Sequence, residues 1–339
     1  MNNQRQINEF KKSFKKAARI KECFYHKKDE CAGVIKQSHS IQKNGRLSVL
    51  EGDINGNMCL YTFTSGTQSK ESMIDDLIPI GKKEASTFFG FCDYHDTKLF
   101  SEIENQSFDD SDKHCFLHSY RSFAHSYHLK KEEIKGWNND GTEYNNYLKA
   151  IYGQQILEYK REGYQITWNE YEKKKKILDN AIDSEDYSEF EFLTYTVEGV
   201  IPIAVSSVMT PKVSYKGRVM NNSDNSNLKI SQPIITFLPD MDQTLVIFMA
   251  FKNDKESINL LDELNHLNGF KLEKAITSLI IANCENTFMS PKFWNSLKKK
   301  GQRILLDEFV NSTFSTKYNN RFFHSRFNFF DDKYKIKKL

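Results

Sequence analysis

Residues 89–104, FGFCDYHDTKLFSEIE, contain a Cys-x-x-His pair, Cys92 and His95, directly before a helix-compatible stretch. A second pair with the same spacing, Cys23 and His26, lies near the N-terminus. A turn of this length lets both side chains of one pair reach the same metal ion. The two pairs therefore predict that distant parts of the chain meet at one metal site.

A tetrahedral zinc ion needs four protein ligands, and Cys31 adds a fifth candidate to the two pairs. The sequence leaves the choice between Cys31 and His26 open. Five of the six cysteines and seven of the nine histidines precede residue 129, so the metal-binding chemistry is concentrated in the first third. The predicted zinc ligands are Cys23, either Cys31 or His26, and then Cys92 and His95.

The segment between the two pairs has the pattern of short strands and tight turns. In residues 31–62, short apolar runs alternate with turn dipeptides such as Asn44–Gly45 and Asn55–Gly56, and a polar loop is expected at Ser65–Asp75. We therefore expect a hairpin-like region between the first metal-binding turn and the helix that follows the second. A zinc turn, a hairpin and a helix in this order describe a treble clef.

Length and composition describe an ordinary globular chain that can form about two domains. The protein has 339 residues, of which 27% are charged, 39% hydrophobic and 13% aromatic. Its apolar stretches are too short for a membrane span, and Met1–Lys21 is polar and lysine-rich, so we expect a cytoplasmic protein. No phosphate-binding glycine loop and no Gly-x-Ser-x-Gly motif is present, which argues against those nucleotide-binding and hydrolase folds.

The predicted fold class is α+β, with an N-terminal zinc module, a helical middle and a C-terminal mixed α+β domain. A turn-rich segment, residues 135–141, is the expected boundary between a first domain, residues 1–135, and a second, residues 142–339. Strand-like runs after residue 190 are followed by helical spacing from residue 255. The residues 334–339 are expected to form a basic tail. The C-terminal domain is a candidate for substrate or protein-partner recognition.

Residues 110–133 give the clearest helical pattern. At 100° per residue, Phe116, Tyr120, Phe123 and Tyr127 fall on one face, and five polar side chains fall on the other. The polar stripe consists of His114, His118, Arg121, His125 and His128. It predicts either a phosphate-binding surface, to which His118, Arg121 and His125 contribute, or an ordinary solvated face.

The N-terminal segment predicts a basic amphipathic helix that ends near Cys23. Its lysines and Arg19 interleave with apolar residues at helical spacing, and Lys12, Lys16 and Arg19 are candidate nucleic-acid ligands. A solvated lysine-rich helix is the alternative. The net charge of +3 permits nucleic-acid binding without requiring it.

The run Ser38-His39-Ser40-Ile41-Gln42, followed by residues 85–96, ASTFFGFCDYHD, resembles the HNH, or ββα-metal, endonucleases. The resemblance covers roughly residues 20–105. Together with the later run around Pro291 and Trp294, this pattern also looks like a family of uncharacterised bacterial proteins.

The resemblance implies a metal-dependent nuclease in which His39 is the general base and Mg²⁺ or Mn²⁺ stabilises the scissile phosphate. Thr87 stands where the class often has its Asn, and Asp96 follows His95 where a further His or Asn is expected. Defence of a bacterium against invading phage DNA would suit that activity. The alternative is a zinc-stabilised scaffold that binds nucleic acid or protein without catalysis.

Overall fold

The structure, a computed structural model, describes residues 2–63, 77–222, 229–314, 323–330 and 334–339. The predicted loop Ser65–Asp75 lies outside these residues. The fold is mixed α+β, as predicted, and it divides into two compact units, each of which is assembled from three segments. The first unit comprises residues 1–38, 88–98 and 124–184, and the second comprises residues 39–87, 99–123 and 185–339.

The units therefore interleave along the chain. The predicted boundary at residues 135–141 lies within the first unit, between two of its helices. Two helices contribute residues to both units: α2 (Asp93–Asn105) and α3 (Asp112–Trp137).

The first unit is mostly helical and contains one two-stranded sheet. Besides its parts of α2 and α3, its helices are α1 (Asn2–Ala18), α4 (Glu143–Tyr152) and α5 (Gln155–Ser184). It also holds all but one residue of each of the paired strands β1 (Ile35–His39) and β5 (Thr87–Cys92). The basic amphipathic helix predicted before Cys23 is thus α1. Aromatic rings form much of the interior: Phe24 lies 6.0 Å from Phe91 and 5.1 Å from Tyr127, measured between ring centroids. Burial of such rings is the main stabilising contribution here.

In its described residues, the second unit is built on a nine-stranded antiparallel sheet. Its strands are β2 (Gly52–Ile54), β3 (Asn57–Thr62), β4 (Ile78–Gly81), β6 (Phe190–Glu198), β7 (Ile203–Val208), β8 (Ile234–Pro239), β9 (Gln243–Phe251), β10 (Thr287–Met289) and β11 (Lys335–Lys338). The strand order is β11-β6-β9-β8-β7-β10-β3-β2, and β4 pairs with β3. The remaining helices are α6 (Lys255–Asn265), α7 (Gly269–Asn283), α8 (Pro291–Ser296) and α9 (Lys299–Phe314).

One part of the second unit differs from the sequence expectation. The expected basic tail is the edge strand β11, in which Lys337 pairs with Thr196 of β6. A backbone ladder does not depend on side-chain polarity, and the exposed lysines suit a sheet edge. Within the described residues, no helix combines the length and the apolar character that a bilayer span requires.

Candidate metal centre

Four side chains of the first unit converge as a Cys3His cluster: Cys23, Cys31, Cys92 and His95. Cys92 is the last residue of β5, and His95 lies in the first turn of α2. Cys23 lies in an extended segment that is hydrogen-bonded to β5, since the Phe24 N–H donates to the Gly90 carbonyl at 2.5 Å. Cys31 follows a single 3₁₀ turn, residues 28–30. Backbone hydrogen bonding therefore brings both metal-binding turns to one end of β5.

The distances in the cluster match those of a tetrahedral zinc site. His95 Nδ1 lies 3.5 Å from Cys23 Sγ, 3.6 Å from Cys31 Sγ and 3.2 Å from Cys92 Sγ. One ligand atom from each residue lies within 4.8 Å of all the others. Tetrahedral zinc, with Zn–S of about 2.3 Å and Zn–N of about 2.0–2.1 Å, places sulfur and nitrogen about 3.5 Å apart. The cluster can therefore bind a metal ion such as zinc.

The surroundings hold the His95 ring in the orientation that a metal ligand needs. Its Nδ1 faces the three thiols, while Nε2 lies 3.9 Å from Glu30 Oε2. The Tyr25 ring covers the imidazole with a centroid distance of 4.3 Å. A carboxylate behind the second ring nitrogen is a common partner of a metal-bound histidine. Glu30 was not predicted from the sequence, although its position beside Cys31 is a usable signal.

The electrostatics of the cluster also favour a cation. Burial raises the pKa of Cys23, and burial together with the neighbouring thiolates raises the pKa of Cys31 to about 12. For Cys92, burial is outweighed by backbone N–H donors, including that of His95, and the pKa is lowered. Burial lowers the pKa of His95, which keeps the imidazole neutral. Three thiolates this close repel each other, and a divalent cation removes that repulsion.

His26, the alternative fourth ligand, does not belong to the cluster. Its Nε2 lies 2.9 Å from Asp183 Oδ2 and its Nδ1 lies 3.6 Å from Asp179 Oδ1, both on α5. Lys27 also pairs with Asp183, at 2.8 Å. The choice that the sequence left open is therefore made by α5, which binds His26 and leaves Cys31 to complete the cluster.

The residues that the HNH resemblance assigned to catalysis fall in different units. His39, half-buried, is the last residue of β1, and Thr87 begins β5; both belong to the second unit. The Thr87 hydroxyl donates to the Glu84 carbonyl at 2.8 Å. Asp96 belongs to the first unit, where its Oδ2 lies 3.2 Å from Lys36 Nζ. Their catalytic roles stay predictions.

The basic segment at the N-terminus is exposed, as the nucleic-acid hypothesis requires. Lys12, Lys16 and Arg19 are all exposed. The Arg19 guanidinium lies 4.9 Å from the centroid of the Phe89 ring, and Lys21 Nζ lies 4.8 Å from it. Phe89 lies on β5, so two cations of this segment are held on the strand that ends at Cys92.

The histidine stripe of α3 is not the solvated face that its periodicity suggested. Burial lowers the pKa of both His118 and His125 to about 3, so their rings are neutral at pH 7. Arg121 is 5% exposed, and its Nη2 pairs with Glu104 Oε1 at 2.7 Å. The helical period separates the aromatic face of α3 from its polar face. It does not show whether other elements of the fold cover the polar face as well. Neutral rings and a paired guanidinium are weak phosphate ligands.

Comparison with known proteins gives no further assignment. No family model matches the chain, and neither the curated proteins nor the solved structures provide a match.

Proposed function

We propose that this chain is a zinc-stabilised nucleic-acid-binding protein whose first unit contains a treble-clef zinc module. The Cys3His cluster and the order of the elements support the module. A metal-binding turn is followed by β1, which pairs with β5, and β5 leads into α2. In this proposal they correspond to the zinc turn, hairpin and helix of a treble clef, with an insertion between the two strands.

The zinc ion in this proposal is structural. Catalytic zinc sites keep one coordination position for water or substrate, whereas structural sites are closed by four protein ligands. Here four protein side chains are already available, and three of them, Cys23, Cys92 and His95, are buried. Zinc binding would then contribute directly to the folding of the first unit.

One observation carries the nucleic-acid part of the proposal. Arg19 and Lys21 contact the Phe89 ring of β5, and the neighbouring Lys12 and Lys16 are exposed on α1. Loss of zinc would loosen β5 and with it the support of this cationic segment. We therefore expect nucleic-acid binding to depend on zinc and to weaken with salt, as phosphate contacts do.

The test measures binding of fluorescent single-stranded DNA, duplex DNA and RNA by anisotropy at several salt concentrations. The triple variant Lys12→Ala/Lys16→Ala/Arg19→Ala should weaken binding and reduce the salt slope. The control Lys252→Ala/Lys255→Ala/Lys271→Ala removes three exposed positive charges from the second unit and should leave binding unchanged. Equal loss in both variants would indicate a nonspecific charge effect. Full retention of binding by the Lys12→Ala/Lys16→Ala/Arg19→Ala variant would show that this surface does not bind nucleic acid.

Phosphodiester hydrolysis is a second candidate function, supported by the position of His39. This histidine ends β1, which pairs with β5, and α2 follows, so the elements have the ββα order of the HNH class. In this proposal His39 takes a proton from the attacking water, and Mg²⁺ or Mn²⁺ supplies charge stabilisation at the phosphate. A role in defence against phage DNA remains a prediction that depends on this activity, and the non-catalytic scaffold is its alternative.

A further inference from the structure

A cavity of about 230 Å³ in the first unit lies beside the C-terminal turns of α3 and the N-terminal half of α5. Its lining includes Trp137, Arg161, Glu162, Tyr164 and Gln165. Pockets for drug-sized ligands usually measure roughly 300–1,000 Å³, so this cavity, here called the Trp137 cavity, suits a single planar ring system.

The lining contains a stacked pair of aromatic rings. The Trp137 and Tyr164 rings are nearly parallel, with an interplanar angle of 24° and a centroid distance of 5.9 Å. Lys130 Nζ lies 4.5 Å from the Tyr164 centroid, and Lys160 Nζ lies 6.0 Å from that of Trp137. Aromatic rings combined with cations are the usual means of binding unpaired bases.

One polar group in the lining lacks a partner. Trp137 is 7% exposed, and within the described residues its Nε1–H has no hydrogen-bond acceptor. A buried donor without an acceptor is costly and uncommon in a native structure. A ring nitrogen or carbonyl oxygen of a bound base would supply the missing acceptor, and the Glu162 and Gln165 side chains can hydrogen-bond to other edge groups.

The basic helix α1 packs against the same tryptophan. The Phe14 ring lies 5.1 Å from the Trp137 ring, and Gly136 permits this approach because a Cβ there would lie 2.4 Å from Phe14 Cζ. Phe14 stands between Lys12 and Lys16, both of which are exposed. A phosphate backbone along α1 would therefore bring a base within reach of the cavity. Beside the cavity, Asp140 pairs with both Lys149 Nζ, at 3.2 Å, and Arg161 Nη2, at 2.5 Å.

We propose that the Trp137 cavity binds one unpaired base of a single-stranded nucleic acid. The proposal rests on the nucleic-acid-binding function proposed above and adds a preference for single strands over duplexes. The base stacks on the aromatic pair, the Trp137 indole N–H donates to it, and the lysines of α1 contact the flanking phosphates.

The test uses the full-length, zinc-loaded protein and a single-stranded 12-mer that contains one 2-aminopurine, whose fluorescence falls when the base stacks. Wild type should quench it. Tyr164→Leu should abolish the quench and weaken single-strand binding about tenfold or more, since a stacked base contributes about that much or more. Tyr164→Phe retains the ring and should behave like wild type. Trp137→Phe removes the N–H donor together with the five-membered ring but keeps one aromatic ring, so it should weaken binding while stacking on Tyr164 persists.

The outcomes separate the two proposals. If wild type binds the 12-mer but Tyr164→Leu and Trp137→Phe bind and quench equally well, the cavity proposal is wrong and the nucleic-acid function stands. If wild type binds neither the 12-mer nor its duplex, both proposals fail. If the protein binds adenosine monophosphate but no oligonucleotide, the ligand of the cavity is a free nucleotide, and the proposal that it binds a base of a nucleic acid is wrong. Zinc content and circular dichroism of each variant establish that it is folded.

Discussion

His26 Nε2 lies 2.9 Å from Oδ2 of Asp183, and this hydrogen bond joins the first metal-binding turn to helix α5. The Cys-x-x-His spacing made His26 a candidate zinc ligand, but its ring nitrogens face α5 carboxylates, and Cys31 Sγ lies in the cluster instead. Asp183 is 157 residues away in sequence. The relationship determines which residue is the fourth ligand.

We expect Cys31→Ser to lose zinc and His26→Gln to retain one zinc per chain. Cys31 supplies a sulfur to the cluster, whereas His26 makes a partly exposed contact with Asp183, and exposed polar pairs contribute only about 0–1 kcal/mol to the free energy of unfolding. Elemental analysis and chemical denaturation of both variants measure these effects. The opposite result, zinc lost in His26→Gln and kept in Cys31→Ser, would replace Cys31 by His26 in the site.

Glu30 is expected to strengthen zinc binding through His95. Its carboxylate lies behind Nε2, and loss of such a partner commonly weakens metal affinity by about 10–100-fold. Glu30→Gln should therefore release zinc to a competing chelator at lower chelator concentration than wild type. Asp29→Asn is the matched control, because it removes a negative charge from the adjacent exposed residue. Equal weakening of zinc binding in both variants would show that the effect depends on net charge and not on the position of Glu30 behind His95.

Acid should destabilise the protein partly through His125. Burial lowers the pKa of His125 to about 3 in the folded state, against about 6.5 when unfolded, so the unfolded state takes up a proton first as pH falls. Above pH 6.5, protonation of His125 does not change the free energy of unfolding. Between pH 6.5 and 5.0 it should reduce the free energy of unfolding by about 2 kcal/mol.

The measurement is urea denaturation at both pH values for wild type and His125→Gln. The variant should lose less stability on acidification than wild type, whatever its absolute stability. His266→Gln is the control, because His266 is 69% exposed. Identical pH dependence of wild type and His125→Gln would show that this ring is not held neutral by burial.

Cleavage of nucleic acid, if His39 is the general base, should require Mg²⁺ or Mn²⁺ and fall at least about 100-fold in His39→Ala. The zinc content should not change, since His39 is absent from the Cys3His cluster. His266→Ala, at an exposed histidine, should cleave like wild type. Cleavage that persists in His39→Ala would exclude the assigned base, and an inactive wild type would favour the scaffold alternative.

Local signals in the sequence determined much of the architecture. The Cys-x-x-His spacing correctly placed Cys92 and His95 together, since a short turn brings paired side chains to one point, and it also singled out Cys23, although not its partner in the cluster. Helical period predicted α3 and its aromatic face, and apolar runs bounded by turn residues predicted the strands β6 to β9. These features depend on neighbours along the chain.

Only the tertiary structure decided the features that depend on distant segments. It assigned the fourth ligand to Cys31 because α5 binds His26, and it buried His125 although its face is polar. It also paired Lys335–Lys338 with β6 and brought Phe14 of α1 against Trp137. Periodicity describes how residues are distributed around one element, whereas the partner that covers each face is chosen by packing between elements far apart in sequence.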